Sequence, residues 1–198
     1  LAIIINSMLV MAAGTTAVAV YTASMRIVQL CMIPLIGLGT AVLTVAGVAY
    51  GAHNYENLKT AHSYSIKIGF IISIVLGAIM YIFAPQIATM FAYTSASSAL
   101  APEIAKALSV LTLFVLAIPH GMMSSMMFQG VGKGTYSLLI TLARSLILES
   151  VFAYLFCFIF GWGVTGIYAG VVFGCFVGGT LGYIWAKFFI RKFKQINR

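Results

Sequence analysis

An all-α integral membrane protein, folded as a six-helix transmembrane bundle, is the fold class that this sequence predicts. Three observations predict it. Hydrophobic residues fill 62% of the 198 positions and charged residues only 7%, where a soluble domain carries about a quarter charged. The mean hydropathy is +1.09, so the chain has too little polar surface to cover itself in water. Its apolar runs are continuous and helix-length rather than short and alternating, which favours a helix bundle over a β-barrel.

The elements follow in order. The first apolar run, 1–13, falls short of the about 20 residues that a crossing needs. Leu1 stands inside that run, with no basic region or cleavage site of a signal peptide. The expectation is a truncated first span in the back part of a longer protein. Gly14-Thr15-Thr16 turns the chain into a second span, 16–46, which is too long for one straight crossing and is expected to tilt or to kink at Pro34. A polar loop, Tyr50-Gly51-Ala52-His53-Asn54-Tyr55-Glu56-Asn57, leads to the third span, 59–83. Pro85, the Ser95-Ala96-Ser97-Ser98 cluster and Pro102 then break the pattern, giving a loop with a short interfacial helix at 86–93. The fourth span, 103–128, is interrupted by Pro119. Glycines 130, 132 and 134 turn into the fifth span, 136–160, and Gly161-Trp162-Gly163 into the sixth, 163–190, which ends in a basic tail.

Eleven Lys and Arg against three Glu give a net charge of +8. Lys59, Lys67, Lys133, Lys187, Arg191, Lys192, Lys194 and Arg198 all fall at one set of span ends, and the opposite loops hold only Lys106, offset by Glu103. The positive-inside rule therefore puts the C-terminus in the cytoplasm of a multi-pass protein of the cell (plasma) membrane. The cations meet lipid headgroups there; no interleaving of aromatic and basic residues suggests a nucleic-acid partner. Cys31, Cys157 and Cys175 lie within apolar runs without metal-ligand spacing and read as small hydrophobes. Glycines 130–134 lack the Lys-Ser/Thr of a phosphate loop. No nucleophile and base, paired carboxylate, metal set or cofactor motif is present, so nothing in the sequence supports an enzyme.

Ionisable groups inside spans are costly and mark function. Arg26 lies ten residues into the second span, roughly 15 Å deep and near the midplane. Glu149 lies at a similar depth in the fifth span, and the two are expected to pair or to share a wet cavity, either for function or as a fixed structural bridge. Arg144 precedes Glu149 by five residues. On an α-helix that points them about 140° apart, so Arg144 is expected to snorkel toward the cytoplasm instead. His120 follows Pro119, with Met123, Ser124 and Met127 on its face. A proline break beside a titratable group suits a proton- or ligand-responsive bend, and the methionines a soft wall for varied ligands; ordinary packing is the plainer alternative. Gly166, Gly170, Gly174, Gly178 and Gly182 recur every four residues, either as a packing seam or as the face of a helix that bends or slides.

Arg26, Pro34 and Gly37, followed by Tyr50-Gly51-Ala52-His53-Asn54 before a basic span start, resemble a segment of the multidrug and toxic compound extrusion (MATE) family. Gln129-Gly130-Val131-Gly132, Arg144 within the fifth span, Trp162-Gly163-Val164-Thr165-Gly166 and the basic tail extend the resemblance along the whole chain. It implies the second, C-terminal lobe of a two-lobe antiporter, with the N-terminal lobe lying outside these residues. Such antiporters exchange H⁺ or Na⁺ for small amphipathic, often cationic compounds across a central cavity. Some members carry coupling carboxylates in the first and fourth helices of this lobe, where this chain has Asn6 and His120; the alternative that the resemblance leaves open is coupling in the N-terminal lobe. Two other classes compete. A related lipid-linked oligosaccharide flippase would need several cations in its cavity, and only Arg26 and Arg144 are available. A non-transporting membrane subunit would be complete as one six-helix unit, with a start codon just upstream.

Overall fold

The computed structural model describes residues 2–91 and 100–196, so the serine cluster at 95–98, Tyr93, Leu1, Asn197 and Arg198 lie outside the described residues. Every element among the described residues is helical: α1 (Ala2–Cys31), α2 (Ile33–Gly51), α3 (Tyr55–Ile82), α4 (Ala84–Phe91), α5 (Ala101–Ala117), α6 (Pro119–Gly130), α7 (Gly134–Ile159) and α8 (Gly163–Ile196).

Breaks fall where backbone chemistry demands them. Ala13 (φ −154°) and Gly14 (φ 78°) leave helical geometry inside α1, and only glycine adopts the second angle freely. Pro34 has no N–H to return to residue 30, so the helix stops at Cys31 and restarts after Met32 as α2. The second span is thus two segments, and it runs on to Gly51 rather than ending at 46. The polar loop shrinks to three residues, 52–54, because Asn54 caps α3 by accepting from the Asn57 amide at 3.0 Å. Pro119 breaks the fourth span into α5 and α6, bent by 43°. Gly132, Gly161 and Gly163 hold positive φ in the last two turns. A short helix does follow the third span: α4 covers the described part of 86–93 and packs on α5.

Two apolar clusters stack along the bundle. One joins Ile5, Leu9, Tyr21, Leu35, Leu108, Leu111 and Ile167. The other, nearer the basic span ends, joins Val42, Leu58, Met123, Met127, Phe128, Ile140 and Ile190. Ile74, Ile147 and Phe188 stay about 60% exposed. Large apolar side chains left outside a packed core on several helices fit a surrounding of lipid rather than water.

Candidate functional site

The glycine stripe decides where α7 lies. A Cβ added at Gly166, Gly170, Gly174, Gly178 or Gly182 would collide in turn with Phe156, Ala153, Glu149, Arg144 or Ile140 of α7. At Gly174 it would sit 2.5 Å from the Glu149 Cα, and at Gly178 2.6 Å from the Arg144 Cγ. Missing side chains thus let the two helices meet backbone to backbone at Gly166, Gly170 and Gly174, while Gly178 and Gly182 take up the Arg144 and Ile140 side chains.

The step from 144 to 149 is the one five-residue step on that seam, and it coincides with a π-helical stretch, Ala143–Leu148. A π turn bonds residue i to i+5 and holds one extra residue, so positions five apart share a face. This corrects the expectation for Arg144. Its Nε lies 3.9 Å from Glu149 Oε1, and the two side chains form a pair along one helix instead of pointing apart. The expected partner, Arg26, is exposed and makes no ion pair with Glu149, although α1 packs against the part of α7 that carries it.

The pair is buried and loose. Glu149 is 2% exposed and Arg144 21%. At 3.9 Å the contact exceeds a hydrogen bond, and Arg144 Nε has no hydrogen-bond partner. Arg144 Nη1 donates weakly to Cys175 Sγ at 3.9 Å. Of the chain's three carboxylates, Glu56 and Glu103 begin helices α3 and α5, and only Glu149 sits in mid-span. A buried pair this poorly bonded adds little stability.

His120 sits one face round α8. Its ring stacks on Phe70 at 5.9 Å and meets Phe176 edge-on at 5.4 Å. Nε2 lies 3.2 Å from Thr180 Oγ1 and 3.3 Å from the Phe176 carbonyl oxygen, while Nδ1 is buried without a partner. The absent side chain of Gly179 makes room for the ring. Arg144 and His120 therefore flank a single turn of α8, Gly178–Thr180. Met123 and Met127 behave differently from the expected ligand wall: both are fully buried in the second apolar cluster, among Val42, Leu58 and Phe128, and offer no surface. Sequence reasoning passed over His62. It is buried in α3, 3.0 Å from Ser124 Oγ and stacked on Tyr183 at 5.7 Å. Its signal was a histidine four residues before the buried Ile66 on one apolar face of α3.

No cluster of three or more His, Cys, Asp or Glu side chains able to hold a metal ion exists among the described residues. The three cysteines are free thiols, with Cys157 and Cys175 buried.

Known proteins place this geometry. The MatE family model matches residues 1–155. A MATE crystallised in complex with MaL6 superposes with TM-score 0.95 at 37% identity, over 98% of this chain and 43% of that one. An inward-facing multidrug resistance MATE family transporter of the MOP superfamily gives 0.93 at 38% identity, over 97% of this chain and 44% of the other. A MOP superfamily transporter from Pyrococcus furiosus, whose binding pocket is described as having reversed polarity that suggests a different function, gives 0.93 at 38%, over 97% and 42%. The chain thus spans less than half the length of the solved chains it matches. Curated protein sequences give no match.

Proposed function

The chain belongs to the MatE family, and from that premise we propose that it forms the C-terminal lobe of a cation-coupled antiporter. That antiporter exports amphipathic, often cationic compounds by alternating access, driven by H⁺ or Na⁺, with an N-terminal lobe on the same polypeptide. The basic span ends face the cytoplasm at the plasma membrane. The observation that carries the coupling part of this reading is Glu149, the mid-span carboxylate, held 3.9 Å from Arg144 in a π stretch.

The physical sequence is short. A carboxylate in a low-dielectric seam holds its cation by charge alone, because no hydrogen bond locks the pair. A proton or Na⁺ arriving at Glu149 cancels that attraction and frees the Arg144 guanidinium. The π turn carries one surplus residue, and the glycine seam presents no side chains to interlock. Releasing the pair lets α7 shift along α8, and the lobe rocks against its partner. His120, beside the Pro119 bend and one face away from Arg144, is positioned to sense the same shift.

Reconstitution of the full polypeptide tests the activity. Proteoliposomes loaded with ethidium, a planar amphipathic cation, are given either a pH or a Na⁺ gradient. One gradient drives ethidium out against its own gradient and the other does not, which also names the ion. Ethidium flux unaffected by both gradients overturns the reading. Orientation has its own test. Lys192→Cys in a cysteine-free background stays unlabelled by an impermeant maleimide until the membrane is opened; labelling in intact cells contradicts a cytoplasmic C-terminus.

A further inference from the structure

At the basic end of the bundle, the start of α3 and the end of α8 diverge around a cavity of about 460 Å³. Lys59, Lys67, Lys187 and Arg191 line it, and no carboxylate does. His62 and Tyr183 form its inner wall. Two of these six are fixed in place: the Lys187 ammonium lies 4.5 Å from the centre of the Tyr183 ring, and His62 is anchored on Ser124. Lys67, Lys187 and Arg191 make no ion pair among the described residues, and Lys59 has only a 3.9 Å contact with the exposed Glu56.

Four like charges around one cavity repel each other unless an anion occupies it. The positive-inside rule accounts for cations near span ends, but not for their convergence on one cleft. A second cavity adjoins the first on the outer side of α8, lined by Ile184 and Phe188 with the same Lys187 and Arg191. Phe188 is 62% exposed and Ile184 43%. A charged cleft that opens at its rim onto an apolar track fits a ligand with an anionic head and hydrocarbon tails.

We propose that this cleft holds the phosphate of an anionic phospholipid, headgroup between α3 and α8 and acyl chains along Ile184 and Phe188. Lys187 and Arg191, shared by both cavities, grip the phosphate where head and tail meet; Lys67 and Lys59 close the cleft from α3. The bound phosphate offsets part of the mutual repulsion of the four cations and ties α3 to α8 without any direct ion pair. The site is independent of the transport reading, because lipid binding is measured with no gradient and no substrate.

The test uses the purified full polypeptide in a neutral detergent, titrated with phosphatidylglycerol, phosphatidylcholine, glycerol phosphate or inorganic phosphate. Bound lipid is counted by native mass spectrometry and melting temperature is followed in parallel. Phosphatidylglycerol is expected to bind at one preferred site and to raise the melting temperature, and phosphatidylcholine to do neither. Lys67→Gln with Lys187→Gln weakens that binding by roughly 25-fold, at about fivefold per cation removed. Lys192→Gln, a cation outside the cleft, leaves it unchanged. Equal binding of phosphatidylcholine, equal loss in Lys192→Gln, or an undiminished preference in the double variant overturns the proposal. Glycerol phosphate or inorganic phosphate matching the lipid overturns the lipid as occupant.

Discussion

The two halves of α8 pack by opposite means. From Gly166 to Gly182 the helix meets α7 through glycines: at Gly166, Gly170 and Gly174 the backbones approach until no side chain fits between them, and at Gly178 and Gly182 the bare face receives the Arg144 and Ile140 side chains. From Tyr183 onward it packs through rings. Trp185 and Phe189 close on Phe128 and Tyr136, at 5.0 to 6.4 Å between centroids, and Phe193 lies tilted against Tyr50 at 4.7 Å. Close backbones make a seam without interlocking side chains, and a π turn on α7 puts a charged pair on it. Interlocked rings hold helices at a fixed distance and leave room at their edge for a cleft. One helix thereby supplies a face suited to sliding and an end suited to anchoring.

Substitutions break the two halves differently. Gly174→Leu has the largest expected effect: its Cβ has nowhere to go but into the Glu149 backbone, and a cost above about 4 kcal/mol is expected, seen as loss of monodisperse protein on size-exclusion chromatography. Phe128→Ala is next. It empties the centre of the ring cluster and costs about 3 kcal/mol, read as a lower melting temperature with the protein still folded. If Phe128→Ala proves worse than Gly174→Leu, the ring half rather than the glycine half holds the helices together. Arg144→Met follows at about 2 kcal/mol, since Arg144 is partly exposed and its loss leaves Glu149 without a cation. Glu149→Gln in the same background recovers most of that loss by removing the unpaired charge. Thr180→Val is the smallest. It removes one of the two contacts of His120 Nε2 and costs about 1 kcal/mol.

The sequence carried the helices and their broken points openly, because Pro34, Pro119 and the glycines at 14, 132, 161 and 163 act through their own backbone. The stripe at Gly166–Gly182 was legible for the same reason: spacing alone makes a bare face. The pair on the other side of that seam was hidden. A helical wheel assumes about 3.6 residues per turn, and the π stretch at Ala143–Leu148 breaks that assumption. An arginine and a glutamate five positions apart, opposite a four-residue glycine repeat, are the signal that would have found it. Arg26 was matched to Glu149 by depth, which says nothing of rotation about the helix axis. Met123 and Met127 do share a face with His120, but the wheel does not tell which neighbour that face meets; α2, α3 and α8 bury it. The basic cleft was visible only as a charge count, since Lys59 and Lys67 are far in sequence from Lys187 and Arg191, and only the fold brings them together.

The central claim is that Glu149 is where the driving ion acts, and Glu149→Gln in proteoliposomes tests it most directly. The substitution keeps size and removes charge, so ethidium binding and melting temperature serve as controls for an intact fold. The account predicts that gradient-driven ethidium export falls by at least about tenfold while binding is retained. Export at the wild-type rate, with the same dependence on the ion gradient, would contradict it.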